Sequence, residues 1–272
     1  MTFRQITEEN SLYDHLEHQS VHDLLRDINR EDHRIADAVE LCLPQIEQFI
    51  VQAIPRIQEG GRLFYIGAGT SGRLGVLDAS EIPPTFGMPE DTVIGIIAGG
   101  DRALRHAVEQ AEDQPEEGWN TLLTYHPNDK DCLVGISASG TTSYVVGTIR
   151  EARKHGLLTA GISSNPHSPL SETAQVAIEM IVGPEFITGS SRMKSGTGQK
   201  MILNMISTVL MIKLGRVQGN NMTNMQLNNR KLTERGVRII MKMAHLPEEQ
   251  ARLLLQKYGN VSESLKHTNQ TK

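Results

Sequence analysis

Residues 67–87 read GAGTSGRLGVLDASEIPPTFG and follow directly after the apolar run Leu63–Ile66. An apolar run that ends in a glycine- and hydroxyl-rich turn is typical of a strand leading into a helix. The first turn of that helix offers free backbone N–H groups and the positive end of the helix dipole, which together bind an anion. Glu81 follows a few turns later, where a carboxylate could exchange protons with the bound molecule. The stretch therefore predicts a ligand site at the end of a strand.

The rest of the chain alternates apolar runs with helical segments, which predicts a parallel sheet covered by helices on both faces. The apolar runs are Arg62–Ile66, Thr92–Ile97, Asp131–Ile136, Leu158–Ile162 and Val176–Ile181. The helical segments between them are Gly72–Ser80, Arg102–Glu112, Tyr144–His155 and Ser168–Thr173. Small and polar residues follow each of the first four runs. Because ligands bind outside the carboxyl ends of such strands, these turns are expected to share one site.

Helical patterns flank the alternating region on both sides. Residues 1–58 predict an N-terminal helical region, 59–215 the α/β domain and 216–272 a C-terminal helical region. Within the α/β domain, a loop at 183–200 leads into a methionine-rich helix that continues to about Leu214. Those methionines have helical spacing, which favours core or dimer contacts over a ligand groove.

Composition excludes several classes of protein. The chain has 272 residues, 38% hydrophobic content, 4% aromatic content and a net charge of −5, which is typical of a globular protein and unlike a nucleic-acid-binding one. The most apolar helix, Met201–Leu214, is too short and too polar to span a membrane. The polar, acidic N-terminus does not resemble a signal peptide, and Cys42 and Cys132 are isolated, so we expect a cytoplasmic protein with reduced thiols.

The sequence predicts neither a nucleotide site nor a metal site. GAGTSG matches the G-x-G-x-x-G pattern of dinucleotide sites, which also needs an acidic residue about twenty positions on. Asp101 lies 34 positions after Gly67, and Gly72 is followed by Arg73 rather than by the lysine of a Walker motif. The histidines at 106, 126 and 245 have no metal-ligand spacing. We therefore expect neither a cofactor nor a metal.

A second loop, Ser137-Ala138-Ser139-Gly140-Thr141-Thr142, also follows a strand and opens a helix. One helix cap needs only one hydroxyl, whereas this loop carries four. Hydroxyl and backbone N–H groups together can surround the oxygens of a phosphate. Two such loops at one sheet edge predict a small ligand with a phosphate at one end and hydroxyls along its body, which describes a sugar phosphate.

These residues resemble the sugar isomerase (SIS) superfamily and, more narrowly, the family of etherases that act on N-acetylmuramic acid 6-phosphate. The similar blocks are TEEN, INRED, residues 67–87, IAGG, AVE with AED, ISASGTT, and GPE followed by ITGSSRMKSGTGQK. The resemblance covers most of the chain; only the region after about Gly259 looks shorter than is usual. It implies a three-layer α-β-α SIS fold with a parallel sheet of about five strands.

The resemblance also implies a reaction. Etherases of this family remove D-lactate from C3 of the amino sugar by elimination and then add water, giving N-acetylglucosamine 6-phosphate. This chemistry needs proton donors and acceptors but no cofactor or metal. The partners implied are the small-molecule sugar phosphate and a second copy of the chain in a homodimer, with the segment 193–214 as a candidate interface.

Functional residues carry over by position. Glu81 matches the acid/base that acts as proton donor, and Glu112 matches a second essential glutamate. The residues expected to bind the phosphate are Ser137, Ser139, Gly140, Thr141 and Thr142. Those expected to contact the sugar body or the lactyl carboxylate are Thr70, Ser71 and Arg73. The loop 183–200 is expected to complete the site, here or in a neighbouring subunit, through Glu185, Ser190, Arg192 and Lys194.

Several alternatives stay open on the sequence alone. Arg73 could form an intrachain ion pair, and Glu112 could belong to an exposed acidic face. A phosphosugar isomerase would use a similar loop and glutamate without releasing lactate. The etherase blocks also occur in the glucokinase regulatory protein of animals, which binds phosphosugars without cleaving them; it carries two SIS domains, so the length of this chain favours the etherase.

Overall fold

The structure, a computed structural model, describes residues 3–268. The chain divides into two compact units. The first combines Met1–Ala79 with Val93–Ile206, and the second combines Ser80–Thr92 with Ser207–Lys272. These divisions differ from the three regions predicted from the sequence, whose limits remain a prediction.

The first unit contains a sheet of five parallel strands in the order β2-β1-β3-β4-β5. The strands are β1 Leu63–Gly67, β2 Val93–Ile97, β3 Cys132–Ile136, β4 Leu158–Ser163 and β5 Val176–Glu179. Each lies within a residue or two of the apolar run that predicted it. Long apolar runs mark strands that are buried on both faces, and all residues of β1, β3 and β4 are buried. The predicted parallel α/β architecture is confirmed.

Helices cover both faces of this sheet. Those that begin in the first unit are α1 Val21–Glu40, α2 Leu43–Gln58, α3 Gly69–Phe86, α4 Arg102–Arg105, α5 Glu117–Leu123, α6 Ser143–Lys154, α7 Pro169–Thr173 and α8 Lys194–Lys213. Helices α5, α6 and α7 pack on the face that carries Phe64, Ile66 and Leu133. Helices α2 and α3 pack on the opposite face, where Gly75 of α3 lies against Tyr65. The sheet therefore lies between two layers of helices, as the predicted three-layer fold requires.

Some helices differ from the sequence-based prediction. Only Arg102–Arg105 of the predicted segment 102–112 is α-helical, and a 3-10 turn at Glu109–Asp113 follows it. Helix α5 was not predicted. Helix α8 begins at Lys194, inside the predicted loop 183–200, because the distant Glu185 carboxylate accepts hydrogen bonds from its first N–H groups.

The second unit has a core of its own. Helices α9 Arg230–Ala244, α10 Glu248–Tyr258 and α11 Val261–Lys266 pack together around buried residues such as Val237, Ile240 and Leu255. Residues 220–229 of the predicted helical region are irregular, and α9 begins where Asn229 caps it through the Leu232 N–H. Across residues 3–268, no helix combines the length and apolar character needed to cross a membrane.

A buried carboxylate fixes the amino end of the sheet. Asp131 is fully buried just before β3 and pairs with Arg62, just before β1, at 2.7 Å. The same carboxylate accepts hydrogen bonds from the backbone N–H groups of Arg62 (2.8 Å) and Asn128 (2.9 Å). Removing one partner of such a buried pair leaves the other charge uncompensated. Asp131 therefore holds the starts of the two central strands together.

We expect Asp131→Asn to lower the free energy of unfolding by about 3–5 kcal/mol, since the Arg62 guanidinium loses its buried counter-charge. Urea unfolding followed by circular dichroism measures the change. The matched control is Asp129→Asn, which alters an exposed carboxylate two residues away. Equal urea midpoints for the two variants would contradict the role given to Asp131.

Candidate active site

A pocket of about 280 Å³ lies in the first unit, at the carboxyl ends of the strands. Strands β1 and β3 are neighbours, with Gly67 paired to Ile136, so the turns that follow them start side by side. Strand β2 lies on the other side of β1, which makes this the point where the strand order reverses. The residues that line the pocket are Thr7, Glu8, Ala68, Gly69, Thr70, Ser71, Glu112, Ile136, Ser137, Ala138, Ser139, Thr142 and Ser191.

The turn after β1 is held tight by two glycines. A Cβ on Gly67 would lie 2.7 Å from the Gly72 nitrogen, and a Cβ on Gly72 would lie 2.7 Å from the Gly67 oxygen. This close approach requires glycine at both positions and places the first turn of α3 at the pocket. Ser71 is buried there and donates a hydrogen bond from Oγ to Oε1 of Gln199, at 2.9 Å.

The loop after β3 is organised by its own hydroxyl groups. Ser137 Oγ lies 2.8 Å from Thr142 Oγ1 and accepts a hydrogen bond from the Gly140 N–H at 3.0 Å. Ser139 Oγ accepts bonds from the Thr141 N–H (3.2 Å) and hydroxyl (2.9 Å). Ser137, Ser139 and Thr142 line the pocket, whereas Gly140 and Thr141 complete the turn behind it. Preformed hydroxyls of this kind suit an anionic oxygen.

Glu112 brings a carboxyl group to the same pocket. It sits on the exposed 3-10 turn at Glu109–Asp113 and lines the wall. Although the turn is exposed, the pocket wall partly desolvates the Glu112 carboxyl and raises its pKa, and the negative charges of Asp113 and Glu109 add to the effect. A carboxyl group with a raised pKa is a better proton carrier near neutral pH than an ordinary glutamate.

The charged residues selected in the loop 183–200 do not line the pocket, and Glu185 and Lys194 support the fold. Glu185 is fully buried and accepts hydrogen bonds from the Lys194 and Ser195 N–H groups, both at 2.9 Å. Lys194 is also buried and pairs with the buried Glu31 at 2.6 Å. Ser190 is half-buried and Arg192 exposed. Ser190, Arg192, Glu185 and Lys194 do not line the pocket, and their contact with a substrate stays a prediction.

Two further predicted residues also lie outside the pocket lining. The Arg73 guanidinium donates hydrogen bonds to the backbone oxygens of Leu104 (3.2 Å) and His106 (3.3 Å) rather than forming the alternative ion pair. Glu81 is exposed on α3, in the part of that helix assigned to the second unit. The substrate role of Arg73 and the catalytic role of Glu81 stay predictions.

Comparison with known proteins places the chain among its relatives. Family models match at residues 45–153 (glucokinase regulatory protein N-terminal SIS domain) and 126–211 (SIS domain). A protein of Bacteroides thetaiotaomicron named N-acetylmuramic acid 6-phosphate etherase is 61% identical over 97% of this chain and 96% of its own. A protein of the same name from Christiangramia forsetii is 56% identical over 95% and 94%. The chain belongs to the N-acetylmuramic acid 6-phosphate etherase family.

Solved structures agree with the fold of this etherase family member. A phosphoheptose isomerase from Francisella tularensis superposes with a TM-score of 0.54 at 17% identity, covering 69% of this chain and 98% of its own. One from Neisseria gonorrhoeae gives the same TM-score at 14% identity, over 70% and 98%. At these identities the likeness concerns the fold alone, which is that of SIS domains.

The pocket also includes residues that sequence reasoning did not select. Thr7, Glu8 and Ser191 line the pocket. The TEEN block that contains Thr7 and Glu8 contributed to the resemblance, but no local pattern linked it to a strand end. Ser191 stands between Ser190 and Arg192, which were selected, so the hydroxyl-rich segment was the available signal.

We expect Gly140→Ala to weaken the binding of inorganic phosphate by tenfold or more. The φ of Gly140 is +71°, and an added Cβ would collide with Ser168 Oγ, so the hydroxyl loop must shift. Gly156→Ala is the matched control, because its φ is +84° while the added Cβ finds only an ordinary contact at 3.5 Å. Isothermal titration calorimetry measures both. Equal phosphate affinities would show that the loop does not hold the anion.

Proposed function

We propose that this protein cleaves the D-lactyl ether of N-acetylmuramic acid 6-phosphate, giving N-acetylglucosamine 6-phosphate and D-lactate, in the recycling of peptidoglycan amino sugars. Relatives of that name match nearly the whole chain at about 60% identity. The observation that carries the proposal is that a hydroxyl-rich loop, a helix N-terminus and a carboxyl of raised pKa line the same pocket.

The reaction takes place in two steps on the open-chain sugar. A base removes the proton at C2, which the C1 aldehyde acidifies, and the electron pair forms the C2–C3 double bond while the C3–O bond breaks. Lactate leaves and takes up a proton at its oxygen. Water then adds to C3 of the unsaturated aldehyde, and C2 regains a proton. The net reaction is hydrolysis of the ether. The protein must remove and return the proton at C2 and must supply a proton to the departing lactate oxygen.

The residues divide between these tasks. Ser137, Ser139 and Thr142 hold the phosphate with neutral donors, assisted by the Gly140 and Thr141 turn behind them. Thr70 and Ser71 contact the sugar body. Glu112 is assigned as the base, since it lines the pocket and has a raised pKa. Glu81 is assigned as the proton donor on its match to the family.

We expect the purified protein to release D-lactate from N-acetylmuramic acid 6-phosphate, detected with D-lactate dehydrogenase. In H₂¹⁸O and D₂O the product should carry ¹⁸O at C3 and deuterium at C2. Glu81→Gln and Glu112→Gln should each lower kcat by at least a hundredfold, since general acid–base catalysis contributes 10²–10⁴-fold. Glu90→Gln, an exposed glutamate outside the proposed site, is the control.

Several outcomes of this experiment would contradict the proposed etherase activity. Folded protein that releases no lactate overturns the proposal, and conversion of a phosphosugar between aldose and ketose would identify an isomerase instead. Binding of a phosphosugar without turnover would identify a regulator, the alternative favoured by the match to the glucokinase regulatory protein domain. ¹⁸O in the lactate rather than at C3 would replace elimination with attack on the lactyl carbon.

The pH dependence tests the assignment of Glu112. A base must be ionised, so activity should fall as the pH drops through the raised pKa of Glu112, at a higher pH than for an ordinary glutamate. Asp113→Asn removes a nearby negative charge, lowers the pKa of Glu112 and should move the acid limb of the kcat/KM profile to lower pH. Glu116→Gln, which does not contribute to that shift, is the control. An acid limb that stays in place or rises after Asp113→Asn contradicts the assignment.

A cytoplasmic homodimer is proposed with this function. Cys42 and Cys132 are free, as is usual in a reducing compartment. The methionines of α8 that are not fully buried, Met201 and Met205, suit a contact between copies. Multi-angle light scattering distinguishes the dimer from a monomer.

A further inference from the structure

The N-terminal segment 6–13 is fastened to the hydroxyl loop by one buried amide. The Thr7 N–H donates a hydrogen bond to Asn165 Oδ1 at 3.0 Å. The Asn165 Nδ2 group donates to Thr7 Oγ1 at 3.0 Å and to the backbone oxygen of Ser139 at 2.9 Å. Thr7 and Asn165 are 1% and 0% exposed, so these bonds are shielded from water. The position of Thr7 is thereby set relative to Ser139.

A second set of contacts fixes the same segment to the loop 183–200. Ser11 donates from Oγ to the backbone oxygen of Phe186 at 2.7 Å, and its N–H donates to Thr188 Oγ1 at 2.9 Å. A Cβ on Gly189 would lie 3.3 Å from Glu8 Oε2, so the Glu8 carboxylate rests against the open side of that glycine. Glu8 is therefore held between two anchored neighbours at the edge of the pocket.

The carboxylate of Glu8 is available to a ligand. It lines the pocket and makes no hydrogen bond or ion pair with another residue in the range 3–268. The adjacent Glu9 differs, since its carboxylate pairs with Arg4 and does not line the pocket. A carboxylate that is positioned by its backbone yet left without a partner can accept hydrogen bonds from a bound molecule.

Charge determines which part of the ligand Glu8 can meet. Among the described residues, those lining the pocket include two carboxylates, Glu8 and Glu112, and neither lysine nor arginine. Like charges repel across a small pocket, so the phosphate must lie away from both carboxylates, at the hydroxyl loop. The hydroxyl and amide N–H groups of the sugar are the donors left to face Glu8.

We infer that Glu8 is a specificity-determining residue whose carboxylate accepts a hydrogen bond from a hydroxyl or amide N–H of the bound amino-sugar phosphate and so orients the sugar relative to its phosphate. This inference rests on the proposed function for the identity of the sugar. It assigns the TEEN block a direct contact with substrate, in addition to its structural bonds through Thr7.

The test compares a sugar phosphate with phosphate alone. We expect Glu8→Gln, which keeps an acceptor oxygen but loses the charge, to weaken N-acetylglucosamine 6-phosphate binding by about tenfold, and Glu8→Ala to weaken it further. Inorganic phosphate should bind either variant as tightly as wild type, or more tightly because a repelling charge is gone. Glu9→Gln is the matched control and should leave both affinities unchanged. Calorimetry gives all the values, and unchanged melting temperatures confirm folding.

Two results would overturn the inference. One is wild-type affinity of both Glu8 variants for the sugar phosphate. The other is an equal loss of affinity for the sugar phosphate and for inorganic phosphate, which would mean that Glu8 only supports the pocket wall. Wild-type protein that binds the sugar phosphate but releases no lactate overturns the etherase and leaves the Glu8 comparison decisive. Wild-type protein that binds neither molecule overturns both proposals.

Discussion

The pairing of β1 with β3 is the constraint on which the site depends. These strands are joined along their full length in parallel register, from Leu63 with Cys132 to Gly67 with Ile136. Because the register is fixed by backbone hydrogen bonds, the turns at 68–71 and 137–142 must leave the sheet together. Two segments far apart in sequence thus become the two walls of one pocket, and the buried Asp131–Arg62 pair secures the opposite ends of the same strands.

Local sequence patterns predicted the parts of the protein that local physics controls. Buried strands are continuous apolar runs, and the hydroxyl loop is a short segment whose side chains bond mainly to each other. Both were predicted from the residues. Helix α8 begins earlier than expected because its cap, Glu185, lies nine residues before its first residue and reaches it only in the folded chain. A prediction from the helix propensities of neighbouring residues cannot include such a contact.

The same limit explains what was missed at the site. Thr7 and Glu8 reach the pocket through Asn165, which no periodicity or spacing connects to them. Two charged residues of the loop 183–200 also have structural partners that the sequence did not reveal, because Lys194 is buried against Glu31 and Glu185 caps helix α8. A buried charge must be compensated inside the protein, and that demand is invisible until its partner is known.

Asn165 also determines the order in which the pocket can be assembled. Thr7 leaves the ribosome before Asn165, and the bond between them spans 158 positions. At about 5–20 residues per second, Thr7 waits roughly 8–30 s for its partner to be synthesised. Strand β4 ends at Ser163, just before Asn165, so four of the five strands have been made before this wall can close. Thr7 therefore reaches its bonded position only after most of the sheet has been synthesised, and until then the nascent chain carries an unfinished site.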